Sequence, residues 1–470
     1  MIFYSSLSRC SRYLSYYINK DIPGPKGIPI LGTTLDLISA GSGPKLHHYI
    51  DKRHKQFGPI FKESLGPVNA VFISNPYDIR RVYSVEGKYP VHLLPDSWIL
   101  YNKLYEKDRG LFFMKGEEWL HYRQIMNKLM LKNELSPSIF QTYEFVVKSL
   151  IDDWRKEVGK EIKELNKQLY KLSISFVVAH LIGSSYPLHK EKFEPHIENL
   201  STTAQAIFKE SSKLSLIPPK FAYFLRLPMW KRFVSSVHSS IDTATKMVKE
   251  MLALTEKDGL LYKMSSESIP FDKMVSIVVD LIIAAVDTTP HTMGWSLYLL
   301  SQDKLLQTKI AKVIQSAENE VEILNDPLLR SVHREALRLY PAAPFITRAL
   351  PADTNIGGYL VSQGQMIIIS MYTAGRNEEY FPNSMKFWPE RWIRSDNGNY
   401  LAVNDPNASL PFAIGARSCI GRKLAEAQMI LSISKIVSNF QFNIEEEVDM
   451  ILHLVPVPDR PIRLRITSRT

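Results

Sequence analysis

Cys419 is the residue of this chain whose type and position could do the most chemistry. It lies in Pro411–Gln428, PFAIGARSCIGRKLAEAQ, after a loop with Gly415 and before a run, Ile420 to Ile436, whose Leu, Ala, Met and Ile recur at helical spacing. A thiol there meets the first N–H groups and the positive end of a helix, which lowers its pKa and holds it as thiolate. Such a sulfur is a nucleophile or a metal ligand. A solitary Cys near a helix start is otherwise a packed small hydrophobe, so the neighbours must distinguish the two. Gly415 and Gly421 leave no side chain where a flat object must lie close to the backbone, and Arg417 puts a fixed cation two residues from the sulfur.

The pattern Phe412-x-x-Gly415-x-Arg417-x-Cys419-x-Gly421 resembles the haem-binding loop of the cytochromes P450, in which the thiolate is the axial ligand of haem iron. The resemblance implies haem b on Cys419. It also implies a fold that is mainly α with small β-sheets, the haem lying between an oxygen-groove helix and the cysteine-loop helix.

Further motifs follow the same order along the chain. Trp119-x-x-x-Arg123 puts an indole and a guanidinium one turn apart on a helix, an arrangement that a surface cation–π pair would also give. By the resemblance these two bind a haem propionate, since Arg can grip a carboxylate with two parallel hydrogen bonds. Ile277–Leu300, IVVDLIIAAVDTTPHTMGWSLYLL, is apolar on nearly all sides and predicts a buried helix. Asp287, Thr288 and Thr289 in its middle are costly without hydrogen bonds, and Pro290 removes a backbone bond beside them. That combination predicts a helix opened at its centre, although back-bonding to the preceding turn is the ordinary reading of such threonines. The stretch resembles the oxygen groove of P450s, with Asp287 and Thr288 as the acid–alcohol pair that delivers protons. Ala285 departs from the glycine that the family usually carries, and its methyl narrows the groove.

Glu335 and Arg338 stand three apart on a predicted helix. They are similar to the E-x-x-R of P450s, which implies a buried structural network with Arg391 of Phe387-Trp388-Pro389-Glu390-Arg391. Arg348 matches a second propionate-binding arginine. Between Thr347 and Ser370, alternating apolar residues and the Gly357-Gly358 and Gln363-Gly364 turns predict β-hairpins, as do Ile60–Ser74; Asp78 onward turns helical.

Length and composition bound the rest. At 470 residues and 53.9 kDa, with no Pro/Ser/Gly linker after the N-terminal segment, residues 21–470 are expected to form a single catalytic domain. Two cysteines, Cys10 and Cys419, exclude a disulfide framework and a multi-Cys metal site. A formal charge of +10 favours acidic partners or an anionic membrane surface, and the absence of a basic cluster interleaved with aromatics argues against nucleic acid.

Residues 1–20, MIFYSSLSRCSRYLSYYINK, carry Arg9, Arg12, Lys20 and five serines with no acid, and no apolar run of membrane-spanning length. This segment reads as a mitochondrial presequence, or else as a disordered tail. Pro23-Gly24-Pro25 then resembles the stiff proline-rich entry of membrane-associated P450s. Residues 135 to 265 read as mainly helical, with loops at Ser184–Leu188 and Ile217–Lys220. Within them Leu214–Phe233 combines three prolines, five aromatics and four basic residues, which suits either a packed loop or a lid dipping into a membrane interface where apolar substrate enters.

Arg330 and Arg334 are similar to the ferredoxin-docking pair of mitochondrial P450s, and Arg422 and Lys423 extend that basic patch. The resemblance therefore implies a mitochondrial monooxygenase on the matrix side of the inner membrane, peripherally attached. Its electrons would come from NADPH through a ferredoxin reductase and a two-iron, adrenodoxin-type ferredoxin. The apolar segments around Leu281–Val286, Ala342–Ile346 and Leu452–Val457 suit a sterol. The whole chain is similar to insect mitochondrial P450s that make moulting hormone, in particular the ecdysteroid 2-hydroxylase type. Other sterols or foreign lipids, and a non-catalytic haem-thiolate sensor, are the alternatives.

Overall fold

Paired strands of β-branched and aromatic residues follow the first helices of the described chain. The structure is a computed structural model that describes residues 21–469 except 30, 67, 133–135 and 216, so the basic N-terminal segment and Cys10 lie outside the described residues. Two units divide the chain: residues 1–93, 343–384 and 404–418 form one, and residues 94–342, 385–403 and 419–470 the other.

In the first unit, β1 (Ile60–Leu65) and β2 (Val68–Ile73) make the expected antiparallel hairpin, Ile60 opposite Ile73. Two later strands complete a sheet of order β1-β2-β4-β3: β3 (Phe345–Ala349) and β4 (Met366–Ser370), with β4 parallel to β2 and antiparallel to β3. Helix α1 (Leu46–Phe57) covers one face, burying Tyr49 and Ile50 with Phe61, Ala70, Phe72 and Ile368. Phe61 and Phe72 stack with centroids 4.9 Å apart, as cross-strand aromatic pairs do. The Gly357-Gly358 turn joins two short strands, Thr354–Ile356 and Tyr359–Val361, at φ values of +59° and +83°. Helix α2 (Pro76–Ser84) starts at an Asn75 cap that accepts from Tyr77 N–H, with Pro76 at the first helical position.

The second unit is helical: α3 (Gly116–Asn127), α4 (Leu165–Ile182), α5 (Tyr186–Leu214), α6 (Pro228–Leu252), α7 (Phe271–Ser301), α8 (Pro327–Leu339) and α9 (Arg422–Asn439) are the elements that matter here. Helix α7 is the axis, buried along most of its length and packed on α4, α6, α8 and α9. A helix apolar on all sides can be stable only inside such a bundle. The expected opening at its centre is not found: the helix runs unbroken through Pro290. Ser184–Leu188 is not a loop either, because a 3-10 turn at Gly183–Ser185 leads directly into α5. Within Leu214–Phe233 the two readings divide the residues between them. Trp230 and Phe233 are core, whereas Phe221, Tyr223 and Phe224 on the short helix Pro219–Phe224 are exposed. Among the described residues, no helix is long and apolar enough to cross a membrane.

Candidate active site

Helix α8 begins at Asp326, whose side chain accepts from Leu329 N–H at 2.9 Å, a cap that contributes about 1 kcal/mol. Starting there, it turns Glu335 and Arg338 to one buried side. Glu335 accepts from Arg338 Nε and Nη2 at 2.9 and 2.8 Å, from Arg391 Nε at 2.9 Å, from Trp388 N–H at 3.1 Å and from Trp392 Nε1 at 2.8 Å. The three charged residues of the sequence motif are thus together, with side chains at 0% exposure. The Trp392 donor was not foreseen; nothing in the sequence links an indole to a glutamate 57 residues earlier.

Helix α9 starts at Arg422, and Cys419 lies just before it. The sulfur retains accessible surface, yet protein atoms crowd round it. This desolvation raises the thiol pKa; the Gly421 N–H, Arg123 and Arg422 pull it down without prevailing. The helix start alone therefore does not lower the thiol pKa, contrary to the sequence expectation. An iron ion would, because metal binding displaces the proton. Nothing lies within 4 Å of a Cβ built on Gly421, which is the open space a flat ring over the backbone requires.

Helix α3 carries Trp119 and Arg123, 1% and 6% exposed. Burial lowers the Arg123 pKa, and the Cys419 charge opposes it, so this cation from an earlier helix is an electrostatic neighbour of the sulfur. Arg417, the cation adjacent in sequence, donates its Nε to Pro90 O at 3.1 Å within the first unit. In that same unit Arg348 is buried, donates to Glu86 at 2.6 Å and to Thr347 O at 2.8 Å, and has Nη2 buried with no hydrogen-bond partner among the described residues. Phe412 is half-buried. At Gly415 a Cβ would lie 2.2 Å from Glu86 Oε1, so the glycine serves a positive φ of 80° and a close carboxylate.

Asp287 is 2% exposed on α7. Tyr170 of α4 donates its hydroxyl to Asp287 Oδ1, and His291 Nδ1 is 3.4 Å from the same oxygen, while Oδ2 is buried with no partner among the described residues. Burial raises the Asp287 pKa, with His291 and the Tyr170 bond opposing. Thr288 takes the back-bonded form, its Oγ1 donating to Ala284 O at 3.1 Å. The two groups are therefore adjacent in sequence but engaged with different partners. Ala285, where glycine was expected, is half-buried, and its carbonyl accepts from Ser173 of α4 at 3.0 Å. Tyr170 lies 117 residues upstream and carries no local signal that could have announced it.

The four cations expected to dock a partner share one acidic neighbour. Arg330, Arg334, Arg422 and Lys423 all act on Glu426, whose carboxyl pKa is raised by burial and lowered by each of them. Arg334 is also committed to packing, its guanidinium 3.8 Å over the Trp392 ring and donating to Tyr400 at 3.1 Å. Among the described residues, no group of three or more His, Cys, Asp and Glu could hold a metal ion, so iron would depend on a single protein thiol.

Comparison with known proteins agrees with this arrangement. The cytochrome P450 family model matches residues 22–465, and the chain belongs to that family of haem-thiolate monooxygenases. It is 37% identical to "Cytochrome P450 315a1, mitochondrial" of Drosophila melanogaster, over 96% of this chain and 89% of the relative. It is 26% identical to the mitochondrial cholesterol side-chain cleavage enzyme of Hypanus americanus, over 88% and 83% of the two chains. With the mitochondrial 1,25-dihydroxyvitamin D(3) 24-hydroxylase of Mus musculus the identity is 27%, over 95% and 89%. The chain is a P450 monooxygenase of mitochondrial type.

Proposed function

We propose that this protein hydroxylates a hydrophobic sterol, an ecdysteroid at C2 in moulting-hormone synthesis, with electrons passed from NADPH through a ferredoxin reductase and an adrenodoxin-type ferredoxin. The observation that carries the chemistry is Cys419, the one cysteine among the described residues and an exposed one, beside the start of α9 and within the electrostatic reach of Arg123 and Arg422. Cys419 would hold haem b through its sulfur. When bound, the haem supplies the activation of dioxygen and the attack on an unreactive C–H bond.

The chain's own residues do the remainder. Trp119, Arg123 and Arg348 bind the two haem carboxylates, a role supported by the buried Arg348 Nη2 that has no protein partner among the described residues. Phe412, Gly415, Arg417 and Gly421 shape the loop. Thr288 Oγ1 and the Asp287 carboxyl hold and pass the protons that the reaction consumes; burial, which raises the Asp287 pKa, favours the protonated carboxyl there. Glu335, Arg338 and Arg391 fix the scaffold. Arg330, Arg334, Arg422 and Lys423 receive the acidic ferredoxin, for which their clustering round Glu426 provides support.

The sterol class is supported by relatives whose names specify cholesterol and a vitamin D derivative as substrates. The ecdysteroid reading is supported by the overall likeness to insect mitochondrial P450s, including 37% identity with the Drosophila melanogaster protein. Residues 1–20 act as a mitochondrial presequence, and residues 21–470 as one catalytic domain on the matrix side of the inner membrane. The exposed Phe221, Tyr223 and Phe224 contribute to peripheral membrane contact.

The test is product analysis by mass spectrometry with the chain lacking residues 1–20, offered 2-deoxyecdysteroids and other sterols. NADPH is supplied either with a mitochondrial ferredoxin and its reductase or with a microsomal P450 reductase. A 2-hydroxylated ecdysteroid formed only with the ferredoxin is the expected result. Turnover of unrelated lipids alone, or only with the microsomal reductase, would remove the hormone assignment and leave the haem-thiolate chemistry standing.

A further inference from the structure

Glu86 lies just beyond α2 and is 5% exposed, an acid buried in the first unit that no sequence motif singled out. Its Oε2 accepts from Arg348 Nε at 2.6 Å, and its Oε1 accepts from the backbone N–H of Ala416 at 3.0 Å. One carboxylate therefore holds both an arginine of β3 and the loop that leads to Cys419. Gly415 permits this approach, since any Cβ at its φ of +80° would lie 2.2 Å from Glu86 Oε1.

The arginine is fixed at two corners and open at the third. Besides Glu86, it donates Nη1 to Thr347 O at 2.8 Å, and its guanidinium leans over the Tyr83 ring at 5.1 Å. Only Nη2 is left buried with no partner among the described residues. A buried guanidinium N–H without an acceptor calls for an explanation, and an outside carboxylate is the acceptor that a planar fork fits best.

We propose that Glu86 is a positioning residue for haem: it turns Arg348 so that Nη2 meets a haem carboxylate, and it fixes the cysteine loop through Ala416. This rests on the haem-thiolate reading above. An acid in that position has a second consequence. Its negative charge, beside the arginine that would hold the haem carboxylate, disfavours an added electron on a bound haem, so Glu86 also lowers the reduction potential.

The experiment uses the full haem-loaded chain and three readouts: transfer of ferric haem to excess apomyoglobin, the ferric/ferrous midpoint potential, and the urea unfolding midpoint. E86A is expected to release haem about tenfold faster, in the range seen when partners that orient a metal site are removed. E86Q keeps the shape and loses the charge, so it remains informative if E86A fails to fold. It is expected to raise the midpoint potential and to speed haem release, and in an R348A background it should add nothing to haem release. Wild-type haem release and potential in E86Q, with only the unfolding midpoint lowered, would reduce Glu86 to a structural ion pair and overturn the proposal. An E86Q effect of equal size with and without Arg348 would overturn it as well. If the unmutated chain shows no thiolate-haem spectrum, the haem reading itself fails, an outcome separate from these.

Discussion

Two buried carboxylates on neighbouring helices, Glu335 on α8 and Asp287 on α7, have opposite surroundings. Glu335 is held by two guanidinium groups, a backbone N–H and an indole N–H, all between 2.8 and 3.1 Å. Asp287 has a tyrosine hydroxyl and a histidine 3.4 Å away, and one of its oxygens has no partner among the described residues. A charge enclosed by cations and donors is locked into the scaffold, whereas a carboxyl whose pKa is raised by burial, with an oxygen to spare, can take up and release a proton. Burial alone thus says little about function; the completeness of the hydrogen bonding separates the acid locked into the scaffold from the one we propose to carry protons.

The contrast can be broken most forcefully at Glu335. Glu335→Gln would leave Arg338 and Arg391 buried without their counter-charge, at a cost of about 3–5 kcal/mol, a large share of the stability of a natural domain. We expect a collapse of the urea midpoint or no folded protein; a loss under about 1 kcal/mol would show that the network is not what holds α8. At the other acid, the hydroxyl next along the helix is the place to cut. Thr288→Ala should fold and keep its thiolate-haem spectrum, while a larger share of NADPH electrons emerges as hydrogen peroxide. An unchanged ratio of product to NADPH would remove Thr288 from proton delivery.

Stability against pH sharpens the comparison further. The native Asp287 carboxyl binds its proton more tightly than the unfolded chain does, so ionising it costs stability. The penalty is absent below the unfolded pKa of about 3.9, grows as pH rises from there to the folded pKa, and is constant above it. Asp287→Asn lacks it. The urea midpoint of the variant should therefore gain on that of the unmutated protein as pH rises from acid to neutral, and a difference that stays flat would contradict the raised pKa. The smallest effects come from removing one donor on each side. Trp392→Phe and Tyr170→Phe each delete one bond to a carboxylate, about 1.5–3 kcal/mol if the acid is charged and less if it is protonated. The Trp392 variant should lose more stability and keep its coupling, while the Tyr170 variant should lose less and change it.

Much of this was legible in the chain because the information is local. A Cys before helical periodicity, an apolar run interrupted by Asp287-Thr288, Glu335 one turn from Arg338, and the hairpin at residues 60–74 are all patterns of short range, set by helix and strand geometry. The family and its mainly helical fold followed from them. What failed or was missed depends on burial and on residues distant in sequence. Pro290 did not open α7, because helices packed round it hold the backbone in place. Arg123, from a helix nearly three hundred residues earlier, is an electrostatic neighbour of the sulfur along with Arg422, and no local pattern announces it.

The sequence by itself determined which groups could do chemistry and on which elements they sit, since residue type and period are properties of the chain. Only the tertiary structure decided their state. Whether a carboxyl is locked or able to carry a proton, whether a thiol is helped or opposed by its setting, and that Glu86 fixes both Arg348 and Ala416, depend on solvent exclusion and on partners brought from afar. These are sums over neighbours in space, and no stretch of sequence contains them.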